Sequence, residues 1–300
     1  MPVSNSKPAD FDRYWDENDQ RLAAMPPAPQ LEPLPIRSNE HSDVYTLRIT
    51  SFGPYRVFGY YSVPKGAGPH PGLLLTPGYG SVKAVPDYND RKRYVTLQIM
   101  HRGQRLADQP YAATYPGLLT DRIDDPERYI FRDIVADCLR GAEFLLARPE
   151  VDASRVAVSG NDLALIVAAR RSGFAVAQAA DLMFCRAMEA RLRTEAYPLE
   201  EINDYLRAHP EREAAVARTL AYLDPTHHVE RVKVTTQLSA GDQGSMAGAG
   251  WMAQMIGQFG GPLEQYQLTH EGGTDHDAVD AWLAQKLGAQ PMSRFITAFD

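Results

Sequence analysis

The stretch Val156-Ala157-Val158-Ser159-Gly160-Asn161-Asp162-Leu163-Ala164 constrains this chain more than any other of its length. Val156 to Val158 have the composition of a buried strand, Gly160-Asn161 is a turn signal, and the apolar run from Leu163 opens a helix. A strand that turns straight into a helix crowds the two elements together. The positions two before and two after the apex must therefore be small, and Gly160 and Ala164 meet that demand around Asp162. A turn of this kind can present its apex residue as a nucleophile above a sheet edge. Here the apex holds a carboxylate.

The remaining pattern supplies a frame for that turn. Phe11, Tyr14, Trp15 and Leu22 recur at helical spacing and predict an amphipathic helix over 8–24. Residues 25–35 are Pro-rich and read as an extended surface connector. Alternation over 44–52 and 56–63, about Gly53-Pro54, predicts a hairpin. Strands expected at 73–75, 96–100, 156–159, 234–239 and 265–268 alternate with helices at 133–147, 163–171, 247–259 and 275–287. This order predicts an α/β fold, a mostly parallel sheet with helices on both faces. Residues 181–222 read as helical without strands, an insertion expected to form a cap over the site. One domain is expected over 1–300, with 1–43 as its N-terminal helix and connector.

Composition excludes several function classes. The chain has 300 residues and a formal net charge of −7, a balance that opposes nucleic acid and anionic membranes as partners. Cys138 and Cys185 are its two cysteines, too few for a disulfide framework, and both read as buried free thiols. No secretory signal is legible and no apolar run approaches the roughly 20 residues of a membrane span. A cytoplasmic protein with a small-molecule substrate is the resulting expectation, with no cofactor or metal. The pair His270 and His276 lacks the zinc-protease spacing, which would need a histidine where Thr274 stands.

Two further residues match the turn. Asp242 ends Leu238-Ser239-Ala240-Gly241-Asp242, directly after an apolar strand. His270 lies in Leu268-Thr269-His270-Glu271-Gly272-Gly273, after another. Both sites follow a strand, so Asp162, Asp242 and His270 are expected to meet above the C-terminal edge of the sheet.

In these and other segments the chain resembles the acetyl xylan esterases and cephalosporin C deacetylases, carbohydrate esterases of the α/β-hydrolase fold. The likeness spans nearly the whole chain. It includes Pro8-Ala9-Asp10-Phe11-Asp12 with Trp15, Pro77-Gly78-Tyr79-Gly80, Arg102-Gly103-Gln104 and Tyr115-Pro116-Gly117. It continues through Pro149-Glu150-Val151-Asp152, Ala196-Tyr197-Pro198-Leu199-Glu200-Glu201-Ile202 and His270-Glu271-Gly272-Gly273. The resemblance implies a Ser-Asp-His triad that deacetylates small esters and short acetylated sugars, in disc-like homo-hexamers. Carried over by position, His270 is the general base, Asp242 orients it, and the N–H groups of Tyr79 and Leu163 form the oxyanion hole. The sequence departs from that pattern at three places. The family's serine is Asp162, its Gln-Gly-Gly is Leu163-Ala164-Leu165, and its His before Gly-Tyr-Gly is Pro77.

A carboxylate at the apex changes the chemistry that is open. Attack on an ester carbonyl would give a reactive anhydride, an unfavourable route. Displacement at saturated carbon would give an alkyl-enzyme ester that His270 could hydrolyse through water. Asp162 with His270 could instead activate water directly, or catalysis could be lost while ligand binding persists. Among other residues, Ser159 reads as a small buried strand residue and Arg102 as a structural ion-pair partner beneath the site. His276 reads as an exposed first-turn residue and His227-His228 as a loop pair. Met183, Phe184 and Met188 read as core or pocket wall, Trp251 and Trp282 as core.

Overall fold

The computed structural model describes residues 6–195, 197–241 and 249–293. Nine strands form one sheet: β1 (Gln30–Pro33), β2 (Ser42–Ser51), β3 (Tyr55–Pro64), β4 (His70–Leu75), β5 (Val95–Ile99), β6 (Val151–Gly160), β7 (Val176–Ala179), β8 (Thr235–Ala240) and β9 (Leu263–Gln267). Their spatial order is β1-β2-β3-β5-β4-β6-β7-β8-β9. β1, β2, β3 and β5 pair antiparallel, while every pairing from β5 through β4 to β9 is parallel. The helices are α1 (Phe11–Ala23), α2 (Tyr88–Arg93), α3 (Ile130–Leu146), α4 (Asp162–Arg170), α5 (Ala187–Ala190), α6 (Glu200–Ala208), α7 (Glu213–Ala221), α8 (Ala249–Ile256) and α9 (Gly272–Leu287). The expected mixed, mostly parallel α/β sheet is therefore observed. β7, α2 and the short edge strand β1 are additions to the sequence reading.

Period-two alternation assigns the two sheet faces. Leu74, Val156, Val158 and Ala177 pack with α3 and α4 in the main core. Leu73, Ala157 and Val176, each adjacent in sequence to one of these, pack with Trp282, Leu283 and Leu287 of α9. Each face is thus sealed by helices, as a parallel sheet requires.

The N-terminal helix docks as its pattern implies, with Phe11, Tyr14, Trp15 and Leu22 buried. The Trp15 indole donates to the Tyr222 carbonyl at 3.0 Å. Arg170 at the end of α4 bonds Asp16 and Asp19 of α1. Arg102 is buried and paired with Asp137 at 2.7 Å and Asp133 at 2.8 Å, which is the structural role its position suggested. Both cysteines are free and buried. Between β7 and β8, α5 to α7 carry the chain with no strand among the described residues, and Leu199, Ile202, Leu206 and Val216 from this segment join the main core.

Candidate functional site

Strand β6 ends at Gly160, and α4 starts at Asp162 with Asn161 as its N-cap. The turn is as crowded as its composition implied. A Cβ added at Gly160 would lie 1.9 Å from Thr76 Oγ1, so only glycine fits beside the segment that follows β4. Asn161 caps the helix in the ordinary way: its Oδ1 accepts the Leu163 N–H at 3.1 Å.

Asp162 stands at the strand-to-helix junction between β6 and α4. It is the first helical residue, with no solvent exposure. Its two carboxylate oxygens accept the N–H groups of Met183 at 2.6 Å and Phe184 at 3.0 Å. Burial pushes its pKa up to about 7, against the pull of those N–H groups, and nearby Asp224 adds to the rise. The carboxylate fastens the start of α4 to the chain leaving β7, and it faces the interior rather than substrate space. In this arrangement both carboxylate oxygens are engaged by backbone amides.

The other expected residues are distributed as follows. The Leu163 amide donates to the Asn161 side chain, and Leu163 itself is 3% exposed. His270 follows β9 and is exposed. Its backbone has φ +64°, unusual for a side-chain-bearing residue, and its N–H donates to Asp275 Oδ2 at 3.1 Å. The structure therefore sets a sealed carboxylate at 162 and an exposed imidazole at 270, not a bonded pair. Asp242 lies outside the described residues, as does Ala196 of the resembling segments.

Tyr79 does border a cavity. Its hydroxyl donates to Glu201 Oε1 at 2.6 Å and accepts the Leu119 N–H at 3.0 Å. Burial, then the Glu201 carboxylate, raise its pKa. Gln104 Nε2 and the Tyr115 hydroxyl both donate to the Gly80 carbonyl, at 2.7 and 2.9 Å. The loop holding Tyr79 is thus anchored from three sides.

That cavity, about 760 Å³, opens between this loop, the C-terminal ends of the parallel strands and the first turns of α9. Its floor is polar. Across the sheet, Gln98 is in register with Leu75, Leu75 with Ser159, Ser159 with Gln178, and Gln178 with Gln237. Registered neighbours in parallel strands point to one face, here the α9 face, so four polar side chains share a row there. Ser159 Oγ donates to Gln178 Oε1 at 2.6 Å. Ser239 Oγ and Gln237 Oε1 are buried with no hydrogen-bond partner among the described residues. Each such buried polar atom costs about 1–3 kcal/mol if left unpaired. Ser159 is half-buried and borders the cavity, so its reading as mere strand filler is revised. His276 borders the cavity as well. The signal for this floor was present as alternation (Ala157 and Ser159, Val176 and Gln178, Gln237 and Ser239), but the residues become neighbours only once the register is known.

Among the described residues no cluster of His, Cys, Asp or Glu is arranged to hold a metal, and no helix is long and apolar enough to cross a membrane. Comparison with known proteins agrees with the architecture. The chain superposes on the acetyl xylan esterase from Paenibacillus sp. R4 with a TM-score of 0.81 and 25% identity, covering 93% of this chain and 95% of that one. It superposes on acetyl xylan esterase 1 from Thermoanaerobacterium sp. JW/SL YS485 with a TM-score of 0.78 and 24% identity, covering 94% and 95%. A curated relative, acetyl esterase Axe7A of Xylanibacter ruminicola, is 25% identical over 166 residues, 51% of this chain and 38% of its own length. These are α/β-hydrolase esterases. Residues 2–247 match the family described as acetyl xylan esterase (AXE1), and the chain belongs to that family.

Proposed function

We propose that this family member binds a small molecule in the cavity beneath α9 and does not perform ester hydrolysis through its apex residue. The observation that carries the reading is the placement of Asp162. A catalytic carboxylate must reach substrate or a water, whereas both oxygens of Asp162 are held by the Met183 and Phe184 amides in a fully buried setting. The occupied Leu163 amide supports it from the oxyanion side. A cavity of about 760 Å³ lies within the usual range for small-molecule sites. The competing reading keeps Asp162 as nucleophile or water activator, with His270 as base and Asp242 as its orienting acid. Its specific support is the carboxyl pKa near 7, a value suited to proton transfer at neutral pH.

One experiment separates the two. Wild type, Asp162→Asn and His270→Ala are assayed on short acyl esters, haloalkanes and epoxides, with intact-mass spectrometry for an adduct on Asp162. The binding reading expects no adduct and no rate change beyond about threefold in either variant. An adduct on Asp162, or a fall of about 100-fold or more in kcat/KM in both variants, overturns it.

A further inference from the structure

We infer that the cavity takes an acidic, hydroxyl-rich small molecule whose acid group is held by Lys83. The inference rests on the ligand-binding reading above and names the ligand class.

Lys83 stands where two spaces adjoin. It borders the cavity with the polar floor, and it also borders a second, outer pocket of about 540 Å³. Its ammonium lies over the Gly78 backbone: a Cβ added at Gly78 would come within 2.9 Å of Lys83 Nζ. The charge is therefore held against the loop that carries Tyr79. Lys83 is half-buried and makes no ion pair among the described residues. Burial lowers its pKa, the sign of a cation short of counter-charge.

In the cavity Lys83 shares the wall with Asp275, which accepts from the Tyr266 hydroxyl and the Thr269 N–H, and with Asp181, whereas the outer pocket carries an excess of cations. Arg37, Arg91 and Arg105 border it with Lys83, against one carboxylate, Asp87. None of the three arginines has an acidic partner within 4.0 Å among the described residues, and Arg91 spends its N–H groups on the carbonyls of Pro86 and Arg37. Elsewhere the molecule pairs its arginines readily: Arg93, Arg102, Arg140, Arg170 and Arg171 all meet carboxylates. In a chain of net charge −7, four cations without ion pairs among the described residues around one opening focus a positive potential there.

The floor supplies the other half of the recognition. Ser239 is 2% exposed, borders the cavity and has an unpartnered hydroxyl. Beside it, Ser159 Oγ is bonded to Gln178 Oε1 and Gln98 Nε2 to the Leu75 and Ile99 carbonyls, which leaves the Gln178 amide nitrogen and Gln98 Oε1 as a donor and an acceptor of the kind that match sugar hydroxyls. A ligand with an acid group at one end and hydroxyls at the other satisfies both regions at once. A neutral sugar satisfies only the floor, and an apolar acid only Lys83. A carboxylate and a phosphate share the required charge and acceptor oxygens, so the source of the acid group is for experiment to distinguish.

Glucose, glucuronate and glucose 6-phosphate form a matched set that differs only at the sixth carbon. Isothermal titration calorimetry is run on the full chain with each of the three, repeated with Lys83→Gln and Lys83→Arg, whose folding is checked by thermal melts. At least one acid should bind wild type about tenfold or more tighter than glucose. Lys83→Gln should reduce that acid to the affinity of glucose, and Lys83→Arg should keep it within about threefold. Whichever acid shows the preference identifies the group as carboxylate or phosphate. Equal binding of glucose and both acids, an acid preference that survives in Lys83→Gln, or no binding of either acid at about 10 mM overturns the inference. Failure here is distinct from failure of the non-catalytic reading. An adduct on Asp162 together with a Lys83-dependent acid preference would remove the latter and leave the acid site standing.

Discussion

The two sides of the β6 terminus follow opposite rules. On the α4 side, Asp162 is fully buried, with the Asp224 carboxylate nearby, and each of its oxygens accepts one backbone amide. On the α9 side, a few ångströms of chain away, Ser159 begins a row of polar groups that borders a cavity and includes unpaired atoms. One side has settled its polar groups for stability. The other leaves the Ser239 hydroxyl, Gln237 Oε1 and the Lys83 ammonium without protein partners among the described residues, as the proposed binding site requires. On the ligand-binding proposal the apex, where the family resemblance directs attention, is the structural half, and the neighbouring face is the chemical half.

This contrast breaks most sharply at Asp162. Asp162→Ala should cost about 2–4 kcal/mol, because it strands two buried N–H donors and leaves a small void. Urea unfolding of the full chain measures it. A cost below about 0.5 kcal/mol would mean the carboxylate does not fasten the chain at Met183 and Phe184, and the division into two halves would fail.

A smaller effect sharpens the same point through pH. The folded-state pKa of Asp162 is raised from 3.8 to about 7. A raised acid binds its proton more tightly in the folded state. Its contribution to stability is therefore present at low pH and is lost as pH rises through the folded value. Between about pH 6 and pH 8 wild type should lose about 1 kcal/mol on this account. Asp162→Asn cannot titrate, so its stability curve should be flatter over that window by the same amount. Parallel curves for the two proteins would show that the carboxyl titrates elsewhere.

Much of the frame was legible in the sequence because it rests on periodicity. The spacing of Phe11, Tyr14, Trp15 and Leu22 gave α1, and the alternation around Gly53-Pro54 gave the hairpin of β2 and β3. β7 escaped because Val176-Ala177-Gln178-Ala179 is four residues long with a single β-branched member. At the site, composition located the turn at Gly160 but not the direction of Asp162. That direction is set by amides 21 and 22 residues downstream, a long-range contact that no local pattern encodes. The polar floor was hidden for a related reason. Ser159, Gln178 and Ser239 each look like an isolated polar residue in an apolar strand until three strands are laid in register. Lys83 had no local signal at all, since a lone lysine in a loop ordinarily faces water.

The smallest effect is the most discriminating. If the α9 side is built for a ligand rather than for the fold, removing its cation should leave stability almost unchanged. Lys83 contributes no ion pair among the described residues, and its charge is partly desolvated without compensation. Lys83→Gln keeps the first part of the aliphatic stem and a polar end on a slightly shorter side chain while discarding the charge. The balance is a little lost packing against relief of a partly buried charge. The expected change in unfolding free energy is therefore within about 0.5 kcal/mol of zero, of either sign, as for a surface position. Arg102→Gln provides the contrast. It would leave Asp137 buried beside a neutral side chain and should cost several kcal/mol, as removal of one partner from a buried ion pair does. A large loss for Lys83→Gln would mean that the lysine is a structural strut for the loop at Gly78, and the two sides of β6 would then differ in geometry but not in purpose.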